Sequence, residues 1–218
     1  VNCFEQHIAD PAKLSQFVSD RHFGIGSDGL VLIMPSATCD FRMRMFNADG
    51  SQGRMCGNAA RCIGKYVYEK KLTSKRTLTL NTLSGVRTLT LDVCGDRVKS
   101  VAVDMGIPSF DPSDIPLSGA YAENPLTLET TCGTYQGTAV SMGNPHFVIF
   151  CHDLNDLDLQ RLGPIFEHHA AFPEGTNTEF VMIADRTRLS MRVWERGSGE
   201  TLACGTGACA SVVAAVLT

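Results

Sequence analysis

Two short segments each place a cysteine directly before a glycine: CGNAARC at 56–62 and ACGTGACA at 203–210. A polar, glycine-containing turn precedes each pair and small residues follow it, which predicts helices beginning just after Cys56 and Cys204. The first turn of a helix has free N–H groups and the positive end of the macrodipole. Because Gly57 and Gly205 lack a Cβ, the backbone there can approach a ligand closely. A thiolate or a substrate carboxylate is stabilised at such a place.

The chemistry that two such thiols could perform is proton transfer. A helix dipole contributes about 1 to 2 kcal/mol and lowers a thiol pKa by about one from its usual value of about 8.5. If the two thiols face one another, ionising one opposes ionising the other, so the pair rests as one thiolate and one thiol. A base and an acid on opposite sides of a carbon are what stereoinversion requires.

Other interpretations of the cysteines are weaker. A single cysteine near a helix start is usually a packing residue, and this remains the interpretation for Cys62 and Cys209. No pair has CxxC spacing and neither segment carries a zinc ligand set, so we expect no metal site. Thiol–disulfide exchange usually uses CxxC, and phosphate loops of the Walker type need GxxxxGK[ST]; both motifs are missing. Non-catalytic phosphate binding at the glycine-rich helix starts is the remaining alternative.

Composition narrows the class of protein. The chain has 218 residues, 44% hydrophobic content and a net charge of −4, enough for one large or two small domains without a basic surplus for nucleic acid. No run approaches the roughly 18 apolar residues of a membrane span. Nine cysteines, an odd number scattered through the chain, indicate a reducing cytoplasm rather than a disulfide framework. The sequence leaves open whether the protein forms a homodimer.

Most predicted elements are strands, because short apolar or alternating runs are bounded by Gly, Pro, Asn and Asp. These runs are 30–34, 41–46, 77–80, 87–93, 99–105, 146–150, 179–183 and 189–194. Besides the two helices after the Cys-Gly pairs, one helix is predicted from Asp10 to about Val18. Another is predicted from Asp156 to about His169, interrupted or kinked at Gly163-Pro164.

An internal repeat relates the two halves of the chain. MRMF at 43–46 matches MRVW at 191–194, and the two Cys-Gly pairs share that offset of 148 positions. Two copies of one strand–turn–helix unit are therefore predicted. We expect an α+β fold of two pseudo-symmetric domains, 1–101 and 102–218, each a curved, mostly antiparallel, barrel-like sheet around a central helix.

Four ordered motifs resemble the diaminopimelate epimerase family over nearly the whole chain: MFNADGSQGRMCGNAARC, GNPHF, GTNTEF and WERGSGETLACGTGACA. The resemblance implies an isomerase of amino-acid and peptidoglycan-precursor biosynthesis that interconverts LL- and meso-diaminopimelate for lysine synthesis without pyridoxal phosphate or another cofactor. It implies Cys56 and Cys204 as the acid/base thiols, with the substrate in the interdomain cleft. It also implies that a first strand with a GND loop precedes this chain and that closing strands follow it, and it places Gly29 where some members have a substrate-contacting Gln.

Further site residues come from the same resemblance. The distal amino-acid end of the substrate is expected to bind to Asn47, Asn144, Asn177, Glu195 and Arg196. An arginine can hold a carboxylate with two parallel hydrogen bonds and a glutamate can accept from an ammonium group, whereas each Asn taken alone is more typical of a turn. The reacting carboxylate is expected at the backbone N–H groups of Gly57, Asn58, Gly205 and Thr206. His146 and Glu195 are expected to tune the thiol pKa values.

Proline and hydroxyproline racemases share the arrangement of two cysteines. Their sequences resemble CGH around the first cysteine and DRSPCGTG around the second. This chain has CGN and ERGSGETLACGTG instead. Its Glu-Arg pair and several Asn suit a substrate with a second amino-acid head, which favours diaminopimelate. If the thiols lie close together, mild oxidation is expected to join Cys56 to Cys204.

Overall fold

The computed structural model describes residues 1–121 and 123–218 and contains two compact units, Val1–Gly106 and Ile107–Thr218. The predicted boundary at 101/102 falls inside a strand that runs from Arg97 to Val103. No helix formed by the described residues is long and apolar enough to cross a membrane. The expected strands beyond the two ends of this chain stay predictions.

The first unit is a six-stranded mixed sheet with two helices. Its strand order is β1-β2-β4-β5-β6, with β3 paired to β2. All neighbours are antiparallel except β2 and β4, which are parallel because α2 forms the connection between them. The elements are α1 (Pro11–Ser19), β1 (Gly29–Met34), β2 (Phe41–Asn47), β3 (Gln52–Gly53), α2 (Gly57–Glu69), β4 (Thr77–Thr82), β5 (Gly85–Cys94) and β6 (Arg97–Val103).

Helix α2 is held by its apolar face. Ala60, Ile63 and Val67, at helical spacing, are buried in one core cluster with residues of β2, β4, β5 and β6. Packing of this face fixes the helix axis, and with it the position of the first helical turn that follows Cys56.

The second unit is also a six-stranded mixed sheet, in the order β12-β11-β10-β9-β8-β7. Only β9 and β10 are parallel, and α3 connects them. The elements are β7 (Leu126–Thr130), β8 (Gly133–Ser141), β9 (Pro145–Phe150), α3 (Leu159–Glu167), β10 (Asn177–Asp185), β11 (Arg188–Glu195), β12 (Gly199–Thr201) and α4 (Gly205–Leu217).

The two faces of the second sheet carry different residues. Phe147, Phe180 and Trp194 belong to a core cluster that also contains Phe166 of α3. Because side chains alternate along a strand, His146 and Glu179 point to the opposite face. Helix α4 contacts β8, β9, β10 and β11.

The predicted α+β fold is confirmed, and so are the eight predicted strands, within about three residues at their ends. Strands β7 and β8 and the short β3 and β12 were not predicted, because their sequences offer only brief or weak apolar alternation. The predicted interruption at Gly163-Pro164 is wrong, because α3 runs through Pro164; a kink there stays a prediction. Tertiary packing holds this turn, since Gly163 lies directly against the Trp194 ring.

The repeat is visible in the strand register. Val31 pairs with Met45 in the first unit, and Glu179 pairs with Val193 in the second, each residue 148 positions after its counterpart. The next pairing also repeats, because Met45 pairs with Gly53 and Val193 pairs with Thr201. Each unit therefore contains one copy of the same hairpin, short strand and Cys-capped helix.

Candidate active site

Cys204 is the N-cap residue of α4 and is buried, with 6% of its surface exposed. Its extended backbone turns the side chain back over the helix start, where Sγ accepts a hydrogen bond from the Gly207 N–H at 3.3 Å. The Thr206 hydroxyl oxygen also lies 3.3 Å from Sγ. The thiol therefore has two neighbouring donors that can stabilise a thiolate.

The pKa of Cys204 is nevertheless raised well above that of an ordinary thiol. Burial is the largest cause, because it removes the thiolate from water, and the negative charges of Glu195 and Glu179 act in the same direction. The hydrogen bonds from Thr206 and Gly207 oppose the rise but are outweighed. The net effect at Cys204 is thus a raised pKa, although the hydrogen bonds at the helix start act to lower it.

Cys56 occupies the equivalent position in the first unit. It is the N-cap of α2, and its Sγ accepts from the Ala59 N–H at 3.4 Å. Unlike Cys204 it is only half-buried. Gly57 is buried in the first helical turn, and the Asn58 side chain accepts a hydrogen bond from the Arg61 guanidinium. Both predicted helix starts are therefore confirmed, with a sulfur at each.

Next to Cys204, a buried set of polar side chains extends from the helix start into the sheet. His146 Nδ1 lies 2.7 Å from Glu179 Oε1, and both side chains are fully buried. On its other side, His146 Nε2 lies 3.2 Å from Asn144 Oδ1. Asn144 Nδ2 donates to Thr206 Oγ1 at 3.4 Å. The structure thus brings together Asn144, His146, Cys204 and Thr206, four of the predicted site residues.

Asn177 and the Glu195-Arg196 pair form the neighbouring part of this unit. The buried Asn177 side chain donates to the Pro145 carbonyl at 2.8 Å and accepts from the Arg196 N–H at 2.9 Å. Arg196 itself donates from Nη1 to the Glu174 carbonyl at 2.8 Å. Glu195 accepts from the Thr201 hydroxyl. Asn177 therefore connects the strand that carries His146 to the turn that carries Arg196.

Asn47 of the first unit is held in a turn. Its Nδ2 donates to Ser51 Oγ at 3.0 Å, and its backbone N–H donates to the Ser51 carbonyl at 2.8 Å. The Ser15 hydroxyl donates to the Asn47 carbonyl at 2.8 Å. Asn47 therefore stabilises a turn in this structure, and its predicted binding to substrate stays a prediction.

Sequence reasoning missed two residues of the Cys204 site, Glu179 and Gly207. The signal for Glu179 was a single acid in an otherwise apolar strand, EFVMI, which we interpreted only as a strand. Gly207 was not distinguished from the other small residues of α4. Among the described residues, no group of three or more His, Cys, Asp or Glu side chains could hold a metal ion.

Comparison with known proteins identifies the family of this chain. A profile of the diaminopimelate epimerase family matches residues 1–110 and 138–218. The diaminopimelate epimerase of Acetivibrio thermocellus is 51% identical over the whole chain, which covers 78% of that protein. The diaminopimelate epimerase of Phocaeicola vulgatus is 54% identical, with the same two coverages.

Solved structures show the same fold at low identity. A hydroxyproline epimerase from Agrobacterium vitis superposes with a TM-score of 0.70 at 16% identity, covering 94% of this chain and 65% of its own. A probable proline racemase from Agrobacterium radiobacter superposes with a TM-score of 0.72 at 16% identity, and the match covers 95% of this chain and 67% of the racemase.

The family profile and these relatives thus identify an isomerase of the class that inverts amino-acid stereocentres. Within that class, this chain belongs to the diaminopimelate epimerase family.

Proposed function

We propose that this protein interconverts LL- and meso-diaminopimelate, using the thiols of Cys56 and Cys204 as base and acid at one α-carbon. The observation that carries the assignment is the repeated thiol geometry: each sulfur caps a helix and accepts from the N–H three residues later. A sulfur in this place can lose and regain a proton while the helix N–H groups offset its charge.

The burial of Cys204 supports a proposal for the protons of the free enzyme. Its raised pKa keeps Cys204 in the thiol form near neutral pH. In this scheme the half-buried Cys56 is the base and removes the α-proton of the isomer that presents it. Cys204 delivers its proton to the other face of the carbon. The opposite isomer requires the opposite protonation state, which the first turnover leaves behind.

The helix starts also suit the charge that develops during proton abstraction. Removing an α-proton moves negative charge onto the carboxylate, and preorganised N–H groups stabilise it. We assign this role to the backbones of Gly57, Asn58, Gly205 and Thr206. Gly205 and Thr206 begin α4 directly after the capping thiol, as Gly57 and Asn58 begin α2.

The distal amino-acid end of the substrate is assigned to Asn47, Asn144, Asn177, Glu195 and Arg196. Arg196 and Glu195 offer the two charges that complement a carboxylate and an ammonium group. Asn177 fixes the backbone at Arg196, which keeps this pair in place. The reaction requires no cofactor in this scheme, because thiols and backbone donors supply both proton transfers. Lysine and peptidoglycan-precursor biosynthesis in the cytoplasm is the corresponding role, with no nucleic-acid or membrane partner.

Deuterium incorporation tests the proposal. Incubation of the full-length protein with LL-diaminopimelate in deuterated water should yield meso product carrying deuterium at the inverted α-carbon. Cys56→Ala and Cys204→Ala should each lower the rate by at least about 100-fold, the usual scale of a lost acid or base. Cys62→Ala and Cys209→Ala are matched controls that should keep activity. Turnover retained in either capping-cysteine variant, or no exchange in the reduced wild type, would refute the assignment.

A further inference from the structure

Glu179 is an acid where the repeat has an apolar residue. Its counterpart in the first unit is Val31, which packs against the core around α2. Glu179 is fully buried, and its Oε2 atom has no hydrogen-bond partner among the described residues. Burying a carboxylate with one oxygen unpartnered is destabilising. Because Val31 shows that an apolar side chain fits this fold, stability does not account for the acid.

The hydrogen bonds of His146 determine how many protons it shares with Glu179. Asn144 uses Nδ2 to donate to Thr206, so its Oδ1 faces His146 Nε2, which must therefore carry a proton. One more proton lies between His146 Nδ1 and Glu179 Oε1, which are 2.7 Å apart.

The same hydrogen bonds fix the direction of the Thr206 hydroxyl. Thr206 Oγ1 accepts from Asn144, which leaves its only proton free to point to Cys204 Sγ, 3.3 Å away. A continuous series of donors thus runs from the His146–Glu179 pair through Asn144 and Thr206 to the sulfur. Reversing the proton position on His146 would reverse the Asn144 amide and turn the hydroxyl proton away from Cys204.

We propose that Glu179 is a positioning residue for Cys204: it holds the Nε2 proton on His146 and thereby directs the Thr206 hydroxyl proton to the sulfur. This inference rests on the proposed function only in taking Cys204 as a working thiol. Glu179 touches neither substrate nor sulfur in this scheme. Apart from its charge, its effect reaches Cys204 through three intervening side chains.

Few charged groups lie on the strands around Cys204, so the effect of each on the thiol can be measured separately. Four strands pack against α4. Strand β9 contributes His146, β10 contributes Glu179 and β11 contributes Glu195. Strand β8 has no Asp, Glu, His, Lys, Arg or Cys, and its Tyr135 ring packs against Phe166 instead. The other charged side chains of β10 and β11 are paired at a distance from the thiol: Asp185 with Arg188, and Arg192 with Glu200.

The test is the rate at which iodoacetamide alkylates Cys204 in Glu179→Gln, followed from pH 7 to 10.5 by peptide mass spectrometry. Glutamine allows the His146 proton to move to Nδ1, so Thr206 no longer has to donate to sulfur. Alkylation should be about tenfold slower at a given pH, the scale of one hydrogen bond to a charged group. The charge of Glu179 acts in the opposite direction, because it raises the pKa of Cys204; if that charge outweighed the directed hydrogen bond, its removal would make alkylation faster. A faster or unchanged rate therefore overturns the proposal.

Two further variants locate the effect in the Thr206 hydroxyl. Thr206→Val should slow alkylation similarly, and adding Glu179→Gln should slow it no further, whereas Thr206→Ser should restore the wild-type rate. Additive effects would contradict the proposed path. Glu167→Gln is the matched control: Glu167 is another buried acid of this unit, bonded to Trp194 Nε1 and the Gly197 N–H, and its loss should leave Cys204 alkylation unchanged.

A further test uses the wild-type protein alone and therefore does not depend on whether any variant folds. The ¹⁵N NMR shifts of the His146 ring report which nitrogens carry protons, and the proposal requires a proton on Nε2 at neutral pH. A bare Nε2 would overturn it. Neither alkylation nor NMR depends on turnover, so a protein without diaminopimelate epimerase activity could still confirm this role of Glu179, and an active one could contradict it.

Discussion

Gly207 lies so close to the carboxylate of Glu179 that a Cβ atom there would come within 2.5 Å of Glu179 Oε1. The equivalent pair in the first unit is Ala59 and Val31, both packed against the same core. An acid in the strand and a glycine in the helix therefore occur together in one repeat, and a valine and an alanine in the other. The carboxylate has room beside Cys204 only because position 207 has no side chain.

This relationship predicts the behaviour of Gly207→Ala. Although Ala favours a helix, the new Cβ would displace a buried, hydrogen-bonded carboxylate, and we expect a loss of about 2 kcal/mol in the free energy of unfolding. The double variant Glu179→Val/Gly207→Ala copies the first unit and should recover most of this loss. Urea denaturation measures both. A Gly207→Ala protein as stable as the wild type would contradict the packing described.

The environments of the two thiols predict their order of alkylation. Near neutral pH, Cys56 should react with iodoacetamide before Cys204, because burial and nearby carboxylates raise the pKa of Cys204. Glu195→Gln should accelerate alkylation of Cys204, since it removes one of the charges that raise this pKa. Peptide mapping of a time course separates the two sites. A slower Cys204 reaction in Glu195→Gln would show that its charge does not oppose the thiolate.

The raised pKa of Cys204 also predicts how stability depends on pH. The folded state keeps this proton above the pH at which the unfolded thiol, with a pKa of about 8.5, releases it. The contribution of Cys204 to stability is therefore complete below about pH 8.5 and declines as the pH rises above it. Cys204→Ser, which does not titrate in this range, should flatten the decline measured by urea denaturation between pH 8 and 10. Equal slopes for the two proteins would refute this prediction.

Substitutions at Asn177 and Arg196 should have different effects, the first on stability and the second on substrate binding. Asn177→Ala removes a buried side chain that bonds to Pro145 and Arg196, and we expect about 2 kcal/mol of lost stability. Arg196→Met keeps the backbone contact but removes the guanidinium, so KM for diaminopimelate should rise with little change in Tm. Steady-state kinetics and thermal unfolding of both variants check this. An unchanged KM for Arg196→Met would remove Arg196 from the proposed substrate site.

Gly163 is required by the packing of α3. A Cβ at this position would meet the Trp194 ring at 2.0 Å, and both residues lie in the middle of packed elements. Gly163→Ala should therefore lower the free energy of unfolding by about 3 kcal/mol or prevent folding of this unit. Gly119→Ala is the control, because no atom lies within 4 Å of a Cβ there and little change is expected. Similar Tm values for the two variants would contradict this.

Local sequence patterns were sufficient to predict most strands and both Cys-capped helices. Apolar alternation identified runs such as 41–46 and 189–194, which form β2 and β11. The break expected at Pro164 did not occur, because Gly163 packs against Trp194, a residue more than thirty positions away. Local signals indicate where a helix is weak, whereas distant packing determines whether it persists.

The amino-acid sequence by itself determined the two thiols, the repeat that matches them and the family that their motifs resemble, because these depend on residue types and spacing. Only the tertiary structure decided which thiol is buried. It placed the buried Glu179 and His146 next to the Cys204 site, and burial raises the pKa of this thiol. Desolvation and charge–charge interactions depend on distances between residues far apart in the chain, here 146, 179, 195 and 204, and no local pattern encodes those distances.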